Sequence, residues 1–397
     1  MKVSQVLIFA IFALISLSSV TAGKNVVCYF ASWTVYRDGN GKFDVSNIDQ
    51  SLCTHIMFGF IGLGGDYKVK ILDSWESNDD YGPKGFEHLI GLKQSKPELK
   101  VMVSMGGWNE GSDRYSQMAA DPIKRQVFIK SVLNFTQAYG FDGFDLDWEY
   151  PGLRDSAYPQ LDKADYAMLL NELKSALHPL GLLLSAAVSG GVANADVAYD
   201  FPAVSEALDM INVMVYDFHG AFDNYVGHVA PLYASSLDDT DDKKQLNADA
   251  GIQNWLDKGA DPAKINFGIV TYGRSFTLAD ANNTQLYAPI KGGGRAGPYT
   301  GQDGVLGYNE SRRGTKICEL HSDWTYYWDD EQKVPHRISG DQWVGYDDVN
   351  SIQLKAEYVV SKNLAGMMVW AFDTDDFLGI CGSENYPLLR TINRVLN

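Results

Sequence analysis

Positive charge is short in this chain. Lysine and arginine together number 33, against 50 aspartates and glutamates, leaving a formal net charge of −17 and a pI near 4.7. A surface of that sign repels nucleic acid and anionic lipid, so neither is an expected partner. It says little about a neutral ligand. Cysteine is also scarce, with four in 397 residues, and their wide spacing excludes a zinc knuckle. The seven histidines include no His-Glu-x-x-His and no pair at ligand spacing, so no metal is expected there. There is no Gly-x-Ser-x-Gly elbow, and the glycine-rich run at 292–297 lacks the Gly-Lys-Ser/Thr ending of a phosphate loop. No cofactor is expected. Nor is there an internal repeat, a low-complexity tract or a Pro/Ser-rich linker.

Long apolar runs are confined to the start. Lys2 is followed by an apolar stretch from Val6 to Val20, and Val20-Thr21-Ala22 ends it in small residues. Residues 1–22 read as a secretory signal cleaved after Ala22. A membrane anchor is the competing reading, but the run is short for a span. The mature chain is expected to be secreted, extracellular and monomeric. In an oxidising compartment Cys28, Cys53, Cys318 and Cys381 allow three pairings, and Cys28–Cys53 with Cys318–Cys381 is the preferred one. Glycosylation sequons occur at Asn134, Asn282 and Asn309.

Apolar strand-like runs recur at 26–30, 55–63, 100–107, 143–151, 182–188, 210–217, 265–274 and 366–373, with helical stretches between them. Asp121-Pro122 opens one helix, in which Phe128, Val132, Phe135 and Tyr139 recur at helical spacing before Gly140. Tyr166, Leu169, Leu170, Leu173 and Leu177 mark another. Eight such units predict an α/β fold of the (β/α)8 TIM-barrel type. The surplus length between strands seven and eight predicts a small α+β insertion at 277–362, with the barrel at 23–276 and 363–397. A doubly wound open sheet is the alternative. Its nucleotide-binding glycines are missing after the first strand, where Phe30-Ala31-Ser32-Trp33 stands instead.

One stretch organises the rest: Gly143-Phe144-Asp145-Leu146-Asp147-Trp148-Glu149-Tyr150-Pro151. On a strand, Asp145, Asp147 and Glu149 share one face, about 6–7 Å apart at each step. Like charges that close cannot all ionise cheaply, so at least one pKa should rise. That suits a general acid beside supporting carboxylates. An exposed edge strand fits poorly, because the other face is aromatic and apolar. A hard-cation site is the remaining alternative. Active residues of a barrel lie at the C-terminal strand ends, and Trp33, Trp108, Tyr216, Asp217, Tyr272, Arg274 and Trp370 fall there. Singly each aromatic is more often core. Together they would ring a cleft suited to the flat apolar faces of sugars.

Asp142-x-x-Asp145-x-Asp147-x-Glu149 resembles the signature of glycoside hydrolase family 18, the chitinases and their inactive relatives. Ser104-x-Gly106-Gly107, Met214-x-Tyr216-Asp217 and Tyr272-Gly273-Arg274 resemble that family's motifs on strands three, six and seven. The resemblance runs from Asn25 to the C-terminus and is closest to secreted animal chitinases of the insect type. It implies chitin and chito-oligosaccharides as partners, and substrate-assisted retaining hydrolysis of their β-1,4 linkages. Carried over, Glu149 is the acid, Asp147 holds the substrate acetamide, Tyr216 orients it and Asp145 shares a hydrogen bond with Asp147. Tyr29, Phe60, Gly107, Trp108, Met214, Asp217, Tyr272, Arg274 and Trp370 would shape the sugar subsites, with Trp33 at a more distant one. Asp142 has the wrong parity and reads as structural. Relatives that bind chitin-like sugars without cutting them typically lose the acid at the Glu149 position, which this sequence keeps. Without a chitin-binding module in view, weaker action on crystalline chitin than on soluble oligomers is expected.

Overall fold

The computed structural model describes residues 23–77, 84–310, 318 and 324–397. The leader read at 1–22 therefore lies outside the described residues. Eight strands form one closed parallel sheet: β1 (Asn25–Ala31), β2 (His55–Leu63), β3 (Lys100–Gly106), β4 (Gly143–Asp147), β5 (Leu183–Ser189), β6 (Met210–Met214), β7 (Ile265–Val270) and β14 (Gly366–Trp370). The order runs β1-β14-β7-β6-β5-β4-β3-β2, and β2 pairs back onto β1. This is the (β/α)8 barrel the sequence predicts.

Each strand is buried on both faces, because the outer face meets the helices and the inner face fills the bore. Val26, Cys28 and Phe30 of β1, with Phe144 and Leu146 of β4, point outward into the layer between barrel and helices. Val27, Tyr29, Met57, Met102, Ala187, Met210, Met214 and Met368 point inward and fill the bore. Flexible thioethers suit an irregular tapered space.

The helices follow their local signals. Asp121 caps the helix Pro122–Tyr139 by accepting from the Ile123 and Lys124 amides, and Gly140 ends it in the left-handed region. In the helix Asp162–Leu177, the residues Tyr166, Leu169, Leu170, Leu173 and Leu177 are all buried. Among the described residues no helix is long and apolar enough to cross a membrane.

The insertion is an antiparallel sheet of β8 (Tyr272–Leu278), β9 (Ile290–Gly293), β10 (Val305–Gly307), β11 (Thr325–Asp329), β12 (Val334–Ser339) and β13 (Gln342–Gly345). It starts earlier than position 277. The apolar run at 265–274 is two strands, because the Thr271 hydroxyl bonds to Ala371 O (2.5 Å) and Thr374 (2.7 Å), where the chain turns out of the barrel. From Tyr272 onward it pairs with β10 and β13. The helix Val349–Ser361 that follows packs on the last helix, Pro387–Leu396, in the barrel's outer layer.

Cys28–Cys53 and Cys318–Cys381 are disulfide-bonded. Asn134 and Asn282 are exposed. The reading of Asn309 as a glycan site is corrected. Its side chain is buried, and its amide donates to Asp373 O (3.1 Å) and Asp375 O (3.0 Å). A sugar on that nitrogen would break both bonds in a packed seam.

Asp347 and Lys355 form a fully buried ion pair between the end of the inserted sheet and the helix Val349–Ser361. Lys355 Nζ lies 2.6 Å from both carboxylate oxygens and 2.7 Å from Ala230 O. Lys355→Met would leave the Asp347 charge buried and unpaired, with an expected loss of about 3–5 kcal/mol. Urea unfolding measures it, and adding Asp347→Leu should recover most of the loss.

Candidate active site

The acids stand on the bore side of β4. Asp145, fully buried, accepts from Tyr29 Oη (2.8 Å), Ser104 Oγ (2.7 Å), Ser185 Oγ (2.6 Å) and Asn212 Nδ2 (3.4 Å). Burial raises its pKa, and these donors pull it back. They are the surroundings of a hydrogen-bonded carboxylate. Asp147, next up the strand, is buried with Oδ1 unpartnered. Burial, then the Glu149 and Asp145 charges, push its pKa well above the carboxylate range. Glu149 lies just past the strand end, where burial lifts its pKa to about 7. Asp145 therefore holds the charge most easily, while its two neighbours favour keeping protons.

Two glycines let this edge form. Gly106 has φ +120°, and a Cβ there would come 2.0 Å from Asp147 O. The Gly107 amide donates to that same oxygen at 2.9 Å. Gly107 has φ +82°, and a Cβ on it would strike the Phe60 ring at 2.8 Å. Past β4 the chain is pinned by side chains of neighbouring loops. Ser112 Oγ accepts from Trp148 Nε1 and donates to Tyr150 O, both at 3.1 Å. Arg154 donates to Glu149 O (3.0 Å) and Trp108 O (2.8 Å), and its guanidinium lies 3.8 Å from the Trp108 ring centre.

Aromatic rings line the cleft above. Trp370 stacks on Phe60 at 5.5 Å, Phe60 on Trp33 at 6.2 Å, and Tyr29 meets Trp370 edge-on at 5.4 Å. Trp33 and Trp108 are 44% and 58% exposed, high for indoles with only a core role. Burial first, and then the Asp147, Glu149 and Asp217 charges, act on Tyr216, whose hydroxyl lies 3.9 Å from the Met368 sulfur. Burial raises the Tyr29, Tyr216 and Tyr272 pKa values, so all three remain donors. Asp217, in the left-handed region at φ 55°, takes Arg274 in a bidentate pair at 2.8 and 2.7 Å, and Tyr272 Oη at 2.8 Å. Met214 is nearly buried in the bore wall. Asp142 accepts from Lys93 and from the Val101 amide, away from the cleft.

Sequence reasoning missed Ser185 and Asn212, and used Ser104 only as part of a motif. Their signal is parity, each being a polar residue at an inward position of an apolar strand. Ser112, Arg154 and the exposed Phe222, on the loop that carries Asp217, sit where no period marks them.

Residues 25–375 match the family described as Glycosyl hydrolases family 18. The chain is 41% identical to "Probable chitinase 10" of Drosophila melanogaster over 94% of its length, and spans only 16% of that protein. Its fold is similar to Ostrinia furnacalis Group IV chitinase in complex with allosamidin, at 42% identity and TM-score 0.89, covering 94% of this chain and 98% of that one. It is also similar to human YKL-39, described as a pseudo-chitinase with retained chitooligosaccharide binding, at 34% identity and TM-score 0.85, covering 94% and 99%.

Gly106→Ala is expected to push the end of β4 aside and lower kcat/KM on N-acetylated chito-oligosaccharides by about 10²-fold. Steady-state kinetics measures the loss. An unchanged far-ultraviolet circular dichroism spectrum would show that the barrel itself survives.

Proposed function

The chain belongs to glycosyl hydrolases family 18, and on that premise we propose that it is a chitinase hydrolysing β-1,4 linkages between N-acetylglucosamine units. The observation that carries this reading is Glu149: an acid that burial keeps protonated up to about pH 7, beside the unpartnered Oδ1 of Asp147 and beneath a cleft of exposed indoles. A pocket for neutral sugars needs flat apolar faces and a few fixed polar groups, and both are present.

In the proposed reaction Glu149 gives its proton to the glycosidic oxygen as the C1–O bond breaks. The substrate's 2-acetamido oxygen closes on C1, forming an oxazolinium ion, and the leaving sugar departs with the proton. Asp147 accepts from the acetamide N–H and, as its proton moves toward Asp145, offsets the positive charge on the ring. Tyr216 donates to the acetamide oxygen and holds it in line. Water then attacks C1 while the Glu149 carboxylate takes its proton, so configuration is retained and the acetamide restored. The substrate supplies the nucleophile, which is why no second carboxylate is needed at attacking distance.

Trp33, Phe60, Trp108 and Trp370 would carry successive sugar faces, with Tyr29, Gly107, Met214, Asp217, Tyr272 and Arg274 completing the subsites. The protein would act as a secreted monomer on soluble chito-oligosaccharides; the Cys28–Cys53 and Cys318–Cys381 disulfides support the secreted reading, since such bonds persist in oxidising compartments. The similarity to human YKL-39 supports a second reading, sugar binding without cleavage. Retention of Glu149 favours the enzyme.

Glu149→Gln should lower the cleavage of N-acetyl-chitotetraose by at least about 10²-fold while oligosaccharide binding persists. Product chromatography separates the readings: binding without products from the native chain favours the lectin, and full-rate cleavage by the variant removes Glu149 from the acid role. The free enzyme needs Glu149 protonated. Its kcat/KM should therefore fall about tenfold per pH unit above about pH 7, in a pH–rate series on the same substrate.

A further inference from the structure

Three asparagines cross the floor of the barrel on adjacent or next-adjacent strands. Asn25 starts β1, Asn266 lies in β7 and Asn212 in β6. Strand register places Asn212 beside Asn266, and Asn266 beside Gly366 of β14, which in turn faces Asn25. Gly366 leaves the space between Asn25 and Asn266 open, and a Cβ there would come 2.0 Å from Asn25 O. The amides link in one direction. Asn25 Nδ2 donates to Asn266 Oδ1 (3.3 Å), Asn266 Nδ2 to Asn212 Oδ1 (2.9 Å), and Asn212 Nδ2 to Asp145 Oδ1 (3.4 Å) and Tyr29 Oη (3.5 Å). Asn266 and Asn212 are fully buried.

The direction is forced from the acid end. An ionised carboxylate only accepts, so Asn212 must turn its NH2 to Asp145. Its oxygen then faces Asn266, which must donate, and the Asn266 oxygen must accept from Asn25. We propose that Asn266 is a positioning residue for the reaction, fixing the Asn212 amide with its NH2 toward Asp145 by occupying the Asn212 carbonyl. Without that donor, the Asn212 oxygen would be buried unpaired, and turning the amide over would present an oxygen to the Asp145 carboxylate. Aligned amide dipoles strengthen one another in a low-dielectric interior, so the chain acts as one donor rather than three separate contacts.

The consequence falls on the Asp145–Asp147 pair. The titratable groups around Asp145 are Tyr29 from β1, Asp147 from its own strand and, farther off, Tyr166 from the helix Asp162–Leu177. The other donors, Ser104, Ser185 and Asn212, do not titrate. Weakening the Asn212 bond makes Asp145 harder to ionise, so the pair holds its second proton to higher pH.

This rests on the chitinase reading. The test is the pH dependence of kcat/KM for N-acetyl-chitotetraose in Asn266→Val against the native chain. The acid limb should move up by about 0.5 to 1 pH unit, a threefold to tenfold loss below it, with the alkaline limb set by Glu149 in place. A purely structural role would lower the rate at every pH and move neither limb. An unmoved acid limb overturns the proposal and leaves the chitinase reading intact, whereas no cleavage by the native chain overturns both. Should Asn266→Val fail to fold, Asn25→Val at the half-buried start of β1 should move the same limb the same way by less, and no shift there is equally decisive against it.

Discussion

Everything near the cleft answers to one constraint: carboxyl groups stacked along the bore face of a strand inside a protein. In a low-dielectric interior they cannot all be charged, and no cation is hydrogen-bonded to Asp145 or Asp147 among the described residues. The structure answers by grading their surroundings. The deepest acid is given hydroxyl and amide donors, the middle one has an oxygen with none, and the outermost meets the cleft. Hydrogen bonding thus decides which acid carries the charge: Asp145, with its donors, ionises more easily than Asp147, whose Oδ1 has none. The neighbouring strands supply it, since Tyr29, Ser104, Ser185 and Asn212 come from β1, β3, β5 and β6.

The barrel explains how so many elements serve one carboxylate. In a closed sheet with inward-pointing alternate residues, every strand sends a side chain to the axis at each level. The methionine-filled bore packs the remaining volume without competing for hydrogen bonds. Rigid parts crowd the working end. Glycines bring β3 against β4 where side chains would collide, and Ser112 and Arg154 fasten the loop that carries the acid.

Much of this was legible because it is periodic. The eight strand runs lie within a few residues of those observed, since a strand buried on both faces is written as a continuous apolar run. Parity placed Asp145, Asp147 and Glu149 on one side and Asp142 on the other, although β4 itself stops at Asp147. What could not be read depends on contacts distant in sequence. Nothing in the run 265–274 marks Thr271 as a junction, because the two strands follow without a turn signal and differ only in partners distant in sequence. Asn309 carries a sequon, yet only the fold shows its amide committed to two carbonyls. Arg154 and Ser112 act through loop geometry, which leaves no period behind.

The early start of the inserted sheet bears on modularity. Tyr272 and Arg274 belong to β8, a strand of the inserted lobe, yet both bind Asp217 on a barrel loop. The lobe's first strand is thus also a wall of the barrel's cleft. By topology the segment is a cassette between two barrel strands. By chemistry it is not detachable: a cut at the sheet boundary would take two cleft residues with it, and a cut after them would strand β8 without its partners. Grafting a different lobe onto this barrel, or trimming this one to a minimal enzyme, has to carry Tyr272 to Leu278 across as barrel property.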